Sequence, residues 1–290
     1  MTKSKVYFTP DVSAASLVKI YDALQLTLPA PTAVKLHSGE QGNQNYLRPE
    51  YVQQLVQHVH GTVVECNTAY PGARDTTAKH RQLLSDHEWT KYFTVDLLDS
   101  DSPDLVLDIP DGQQIQQNFV GRHLADYHSL LVLSHFKGHA MGGFGGALKQ
   151  LSIGCASSYG KKYIHGAGQP DGDYMATAQL PFVTAMGDAA ASVHRYFQGR
   201  AAYVTAMVNI SVDCDCDAHA AAPCMADIGL LSSTDPVALD QACVDLIYQS
   251  TDPGRDQLVA RIEEKLGTHI IDVAAAHGIG SKDYELVPLA

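Results

Sequence analysis

The chain lacks the marks of membrane-spanning and nucleic-acid-binding proteins. No apolar run among its 290 residues approaches the ~20 that a spanning helix needs. Lysine and arginine number 20 against 32 aspartates and glutamates, giving a net charge of −12, and no dense basic run offsets it. Nothing would balance phosphate repulsion, which argues against a nucleic-acid partner. No Gly-x-Gly-x-x-Gly appears and no Gly-Lys-Ser/Thr closes a phosphate loop, so an ordinary nucleotide-binding fold is disfavoured. No Cys-x-x-Cys appears, which sets aside ferredoxin and zinc-ribbon patterns. Repeats, low-complexity tracts and long linkers are also missing. The N-terminal MTKSKVYFTP turns straight into a strand pattern with no signal-peptide core, so a cytoplasmic protein is expected. In a reducing compartment the six cysteines are expected as thiols or ligands, not as a disulfide framework.

What is present reads as a single α/β domain over residues 1–290, with a hydrophobic content of 45% and a charged content of 18%. Short apolar runs at Lys5–Thr9, Thr32–His37, Thr62–Asn67, Ser129–His135 and Ala201–Val212 predict strands. Helical periodicity is expected over Ala14–Leu26, Pro49–His60, Thr76–Ser85, Leu180–Phe197 and Pro236–Ser250, the last with Asp235 as its N-cap. A glycine-opened helix is expected from about Gly145 to Leu151. Tyr92–Val120 reads as short strands and turns, and HGIGSKDYELV as a final loop and strand. The alternation predicts a three-layer α/β fold with a mostly parallel sheet.

The polar clusters fall just after strands: HSGEQGN, NTAYPGAR, HFKGHAMGGFGG and DCDCDAH. In a parallel sheet all four would share the C-terminal edge, where open α/β sheets bind ligands. The stretch from His135 to Gly166 is the densest, with three histidines, four lysines and a cysteine among glycines. Such groups bind metals, hold anions or move protons. His135, Lys137, His139, Lys149 and His165 are its candidate catalytic residues. His135 and His139 are four apart, but the intervening Gly138 speaks against a helical metal pair. Gly145 and Gly146 are expected to open a helix whose free N–H groups bind an anion. Lys35 lies inside a strand, either at an exposed edge or facing a ligand. Asn43, Arg48 before Pro49, and Arg74 complete the candidate anion-binding set. Cys214 and Cys216 are two apart, so in an extended segment both thiols point to one side and suit a soft metal or cluster iron. Cys155 is the candidate third ligand.

HFKGHAMGGFGGALKQLSIGCASSYGKKYIH, DCDCD and DIGLLSSTDPVALDQACVDLI together resemble the domain of unknown function 362 family, whose members are uncharacterised iron–sulfur-centre proteins. The resemblance covers most of the chain and implies metal or cluster chemistry. Members often carry a ferredoxin-like insert with two four-iron cluster motifs. Here residues 166–188, GAGQPDGDYMATAQLPFVTAMGD, stand in its place without a cysteine. Lys149 would be followed by Asn in the family and is followed here by Gln150. A weaker similarity links the chain to the N-terminal domain of nickel-pincer lactate racemases. It would match His135 to a catalytic histidine, Lys149 to the lysine that holds the pincer cofactor, and His165 to the nickel-ligating histidine. That family's Pro-Gly is Ile153-Gly154 here.

These readings converge on a metal- or iron–sulfur-dependent enzyme, oxidoreductase-like by family association, acting on a small anionic substrate. One alternative is a pincer-cofactor isomerase or racemase. Another is a non-catalytic metal- or cluster-binding subunit serving a redox partner protein.

Overall fold

A computed structural model describes residues 3–173 and 176–289. Residues 174 and 175, inside the 166–188 stretch, lie outside the described residues. The strands are β1 (Ser4–Thr9), β2 (Thr32–Lys35), β3 (Gly61–Glu65), β4 (Val95–Leu97), β5 (Leu105–Asp108), β6 (Gln117–Val120), β7 (Ser129–His135), β8 (Lys137–His139), β9 (Gly143–Gly145), β10 (Ala201–Met207), β11 (Gly229–Ser233) and β12 (Tyr284–Pro288). The helices are α1 (Ala14–Asp22), α2 (Pro49–His58), α3 (Thr77–Asp86), α4 (Trp89–Tyr92), α5 (Ala147–Lys149), α6 (Ser158–His165), α7 (Gln179–Phe197), α8 (Pro236–Gln249), α9 (Arg255–Glu264) and α10 (His269–Ala276).

Eight strands form the main sheet in the order β12-β1-β11-β10-β7-β2-β3-β4. All of its pairings are parallel except the two made by β11. The expected mostly parallel α/β sheet is therefore present. Strand β11 carries little signal in the sequence: GLLSS has only two large apolar residues, too short a run to mark a buried strand. From β2 the chain winds outward to β3 and β4, then returns to the other side of β2 with β7 and β10. That reversal is a topological switch point, and the crevice it opens faces the carboxyl ends of β2 and β7.

Each face of the sheet is covered. Along β7, Leu130 and Val132 join a core with α7 and α8, while Leu131 and Leu133 join one with α1 and α2. This is the period of two expected of a strand buried on both faces. The Asp235 cap forms as expected, accepting from the amides of Val237 and Ala238. Trp89 is fully buried, and its indole N–H donates to the Ser38 carbonyl at 3.0 Å. This anchors the loop that leaves β2.

Two elements differ from expectation in ways that matter for the site. Strand β10 ends at Met207, and Asn209 then turns with a φ of 47°, which frees the Cys214–Cys216 segment to fold back over the sheet edge. The helix expected from Gly145 to Leu151 is a short α5 that runs into a π turn at Gln150–Gly154. Single π turns inside helices are frequent at functional sites.

Candidate functional site at the carboxyl edge of the sheet

The four polar segments gather at one edge because β3, β2, β7 and β10 are parallel neighbours. Between them lies a small cavity of about 80 Å³. Lys35, Arg74, His139, Lys149, His165 and Cys216 all line it. The helix-to-π-turn junction supplies Lys149, Gln150, Ile153 and Gly154 to the same wall.

The cavity's charges are unequally matched. Lys35 is fully buried and pairs with Glu65 at 2.6 Å, so its exposed-edge alternative does not hold. Burial opposes the Glu65 charge, but Lys35 overrides it and holds the carboxyl well below its usual range. Ser38 adds a backbone N–H to the same carboxylate at 2.9 Å. Arg74 is clamped by Glu40 through Nε at 3.1 Å and Nη2 at 3.0 Å. Lys149 and Lys161 have no ion pair with a carboxylate among the described residues. Lys161 instead donates to the Ala156 carbonyl at 2.6 Å, and burial lowers its ammonium from the usual range. A buried cation without a carboxylate favours an anionic ligand.

The thiol group sits beside Lys149. The ligand atoms of His139, Cys214 and Cys216 all lie within 4.8 Å of one another. His139 Nδ1 accepts backbone N–H groups from Gly142 at 2.8 Å and Met141 at 3.2 Å. Its lone pair is thus engaged, and the hydrogen of the neutral ring sits on Nε2, 3.8 Å from the Cys216 sulfur. Burial works against a charge on Cys214, yet a hydrogen bond from Cys216 and the Lys149 ammonium hold that thiol well below its ordinary range. Cys216 moves the other way, first through its hydrogen bond to Cys214 and then through burial. Of the two, Cys214 is the thiol that ionises more readily.

Several residues singled out in the sequence act elsewhere. His135 and Lys137 do not line the cavity; both grip Asp215, His135 through Nδ1 at 2.9 Å and Lys137 through Nζ at 2.6 Å. They fix the residue between the two cysteines, so they are positioning groups. Asn43 donates to the carbonyls of Cys214 at 3.2 Å and Asp217 at 2.9 Å, and so holds the same loop. Arg48 lies over the Tyr46 ring at 4.1 Å, away from the cavity. The helix start at Gly145 and Gly146 is already occupied by a carboxyl group of the chain itself. Asp240 of α8 accepts from the amides of Ala147 at 2.8 Å and Leu148 at 2.9 Å, and a Cβ on Gly146 would stand 2.5 Å from its oxygen. Cys155 is buried outside the His139–Cys214–Cys216 group, and burial pushes its thiol up to about 11. It is a core residue rather than a third ligand.

His37, Glu40 and Tyr70 belong to the polar clusters HSGEQGN and NTAYPGAR, and Lys161 to the His135–Gly166 stretch, but nothing in the sequence singles them out within those segments. Glu65 leaves one trace, a charge closing the apolar run TVVE.

The sequence pattern of the family described as Domain of unknown function (DUF362) matches residues 32–245. The chain belongs to that family. Every cavity residue of this DUF362 chain named above falls within the matched span. No curated protein matches it. Among solved structures, a Thermotoga maritima protein aligns at a TM-score of 0.47 and 12% identity, over 80% of this chain and 57% of that one. The lactate racemase apoprotein from Thermoanaerobacterium thermosaccharolyticum aligns at a TM-score of 0.43 and 13% identity, over 70% of this chain and 50% of that one. The DUF362 chain therefore covers about half the length of either. Among its described residues, no helix is long and apolar enough to cross a membrane.

Proposed function

We propose that this DUF362 protein is an enzyme that holds a single soft transition metal on Cys214 and Cys216 and acts on a small anionic substrate in the adjoining cavity. One observation carries the reading: the thiols of Cys214 and Cys216 meet beside a Lys149 ammonium that has no carboxylate partner among the described residues. Thiolates select soft metals, and two protein ligands leave coordination positions for substrate or water. The donor set does not suit a four-iron cluster, which takes four thiolates. Among the described residues no metal-binding group joins more than two cysteines. His139 enters as an N–H donor to sulfur, because a metal on Nε2 would have to displace the hydrogen while Nδ1 still accepts two amides. Oxidoreductase chemistry is the reaction class that the family resemblance favours.

The test is titration of the metal-free protein with cobalt(II). A thiolate-to-cobalt charge-transfer band should appear and should vanish in Cys214→Ser and Cys216→Ser. Its persistence in either variant would sink the ligand assignment. A metal-binding subunit that serves a redox partner would show the same band without turnover. A second reading, a pincer-cofactor isomerase or racemase, draws on the presence of Lys149 and His165 in one cavity wall. It calls for extra covalent mass on the chain that Lys149→Ala removes.

A further inference from the structure

A neutral histidine carries one ring hydrogen and one lone pair, yet His37 has donors facing both nitrogens. The Gly39 amide donates to Nδ1 at 3.0 Å, and Nη1 of Arg74 stands 3.2 Å from Nε2. Burial, with the Arg74 charge behind it, holds the ring neutral. One hydrogen too many is therefore present along this line, and one of the two donors must go unanswered.

The Gly39 amide cannot retreat. Its φ is +86°, and the Tyr46 ring packs 2.5 Å from where a Cβ would stand. Arg74 cannot swing away either, because Glu40 holds its Nε and Nη2, and Nη2 also donates to the Tyr70 hydroxyl at 2.7 Å. The short backbone contact takes the lone pair, so the ring hydrogen sits on Nε2. Two N–H groups, Nε2–H of His37 and Nη1–H of Arg74, then converge with no other acceptor among the described residues. Both residues line the cavity.

We propose that His37 and Arg74 form an oxyanion subsite that takes one carboxylate oxygen of the substrate between them. The assignment rests on the reading that the cavity accepts an anionic substrate, and it is independent of the metal. The class is carboxylate because Arg74 is already matched by Glu40 and Lys35 by Glu65. This wall carries little surplus charge for a phosphate dianion, and Arg74 has a single free N–H edge instead of a two-pronged one.

The experiment uses the full chain with nitrogen-15-labelled histidine and reads the His37 ring by long-range proton–nitrogen correlation. In the free protein His37 should be the Nε2–H tautomer. Acetate should shift its Nε2 resonance saturably and more tightly than inorganic phosphate does. Arg74→Lys should weaken acetate binding about tenfold or more. The Nδ1–H tautomer, no saturable acetate shift, or tighter binding of phosphate would each overturn the proposal. Because the tautomer and the acetate titration are read on the unmodified chain, a misfolded variant would not leave the question open. Metal content measured on the same samples separates the two ideas. Loss of the metal reading with the acetate shift intact would leave the subsite standing.

Discussion

His139 presents a ring N–H, and no lone pair, to the sulfur of Cys216: its Nδ1 accepts two backbone amides and its Nε2 lies 3.8 Å away. The distinction has a measurable consequence. Partners that orient or tune a ligand without binding the metal cost ~10–100-fold in affinity when removed. His139→Ala should weaken metal binding by about that factor, whereas Cys214→Ser should abolish it. Competition against a chelator measures both. Equal loss in the two variants would make His139 a ligand.

Cys155 provides the opposite control. It lies in the core wall outside the thiol group. Cys155→Ala should keep full metal content and lose about 1–2 kcal/mol of stability in denaturant unfolding. Metal loss in a folded Cys155→Ala protein would return it to the ligand set.

The Lys35–Glu65 pair is fully inside the protein, so its members depend on each other. Lys35→Met leaves the Glu65 charge buried, with only the Ser38 donors for support. A loss of roughly 3–5 kcal/mol is expected from breaking such a pair. Lys35→Met combined with Glu65→Gln should recover part of it. A double variant as unstable as the sum of the two single variants would show that the charges do not support each other.

Asp240 makes a pH signature. Burial raises its carboxyl to about 7, against an ordinary 3.8, although the Leu148 and Ala147 amides pull the other way. The folded state then holds a proton that the unfolded state has already released. Stability falls as pH rises from about 4 to about 7, at no more than ~1.4 kcal/mol per pH unit, and levels off above. Buried neutral histidines such as His80, lowered to about 3, slope the opposite way below their ordinary range. The reading is therefore the difference between the parent and Asp240→Asn. From pH 5 to 8 the parent should lose ground against the variant. Parallel melting-temperature curves across that range would contradict the assignment.

The sequence carried the fold because apolar strands and periodic helices alternate, and the four polar clusters fall directly after strands. That placement alone predicts that the clusters meet at one edge, since parallel neighbours must share one. The roles within it were less legible. His135, Lys137 and Asn43 carry reactive side chains, but the fold spends them on holding the Cys214–Cys216 loop. Gly145 and Gly146 do lead into a helix start, but the Asp240 carboxyl arrives from 93 residues away to occupy its free amides. Glu65, Glu40 and Lys161 gain meaning only from the partners that the sheet brings to them. No local pattern encodes those meetings.

The most direct test of the account is elemental analysis of anaerobically purified protein, counting metal and acid-labile sulfide per chain. One equivalent of zinc, nickel or another soft metal without sulfide, lost in Cys214→Ser, is the predicted result. Iron with stoichiometric sulfide, or a folded chain that neither contains nor takes up metal, would contradict it.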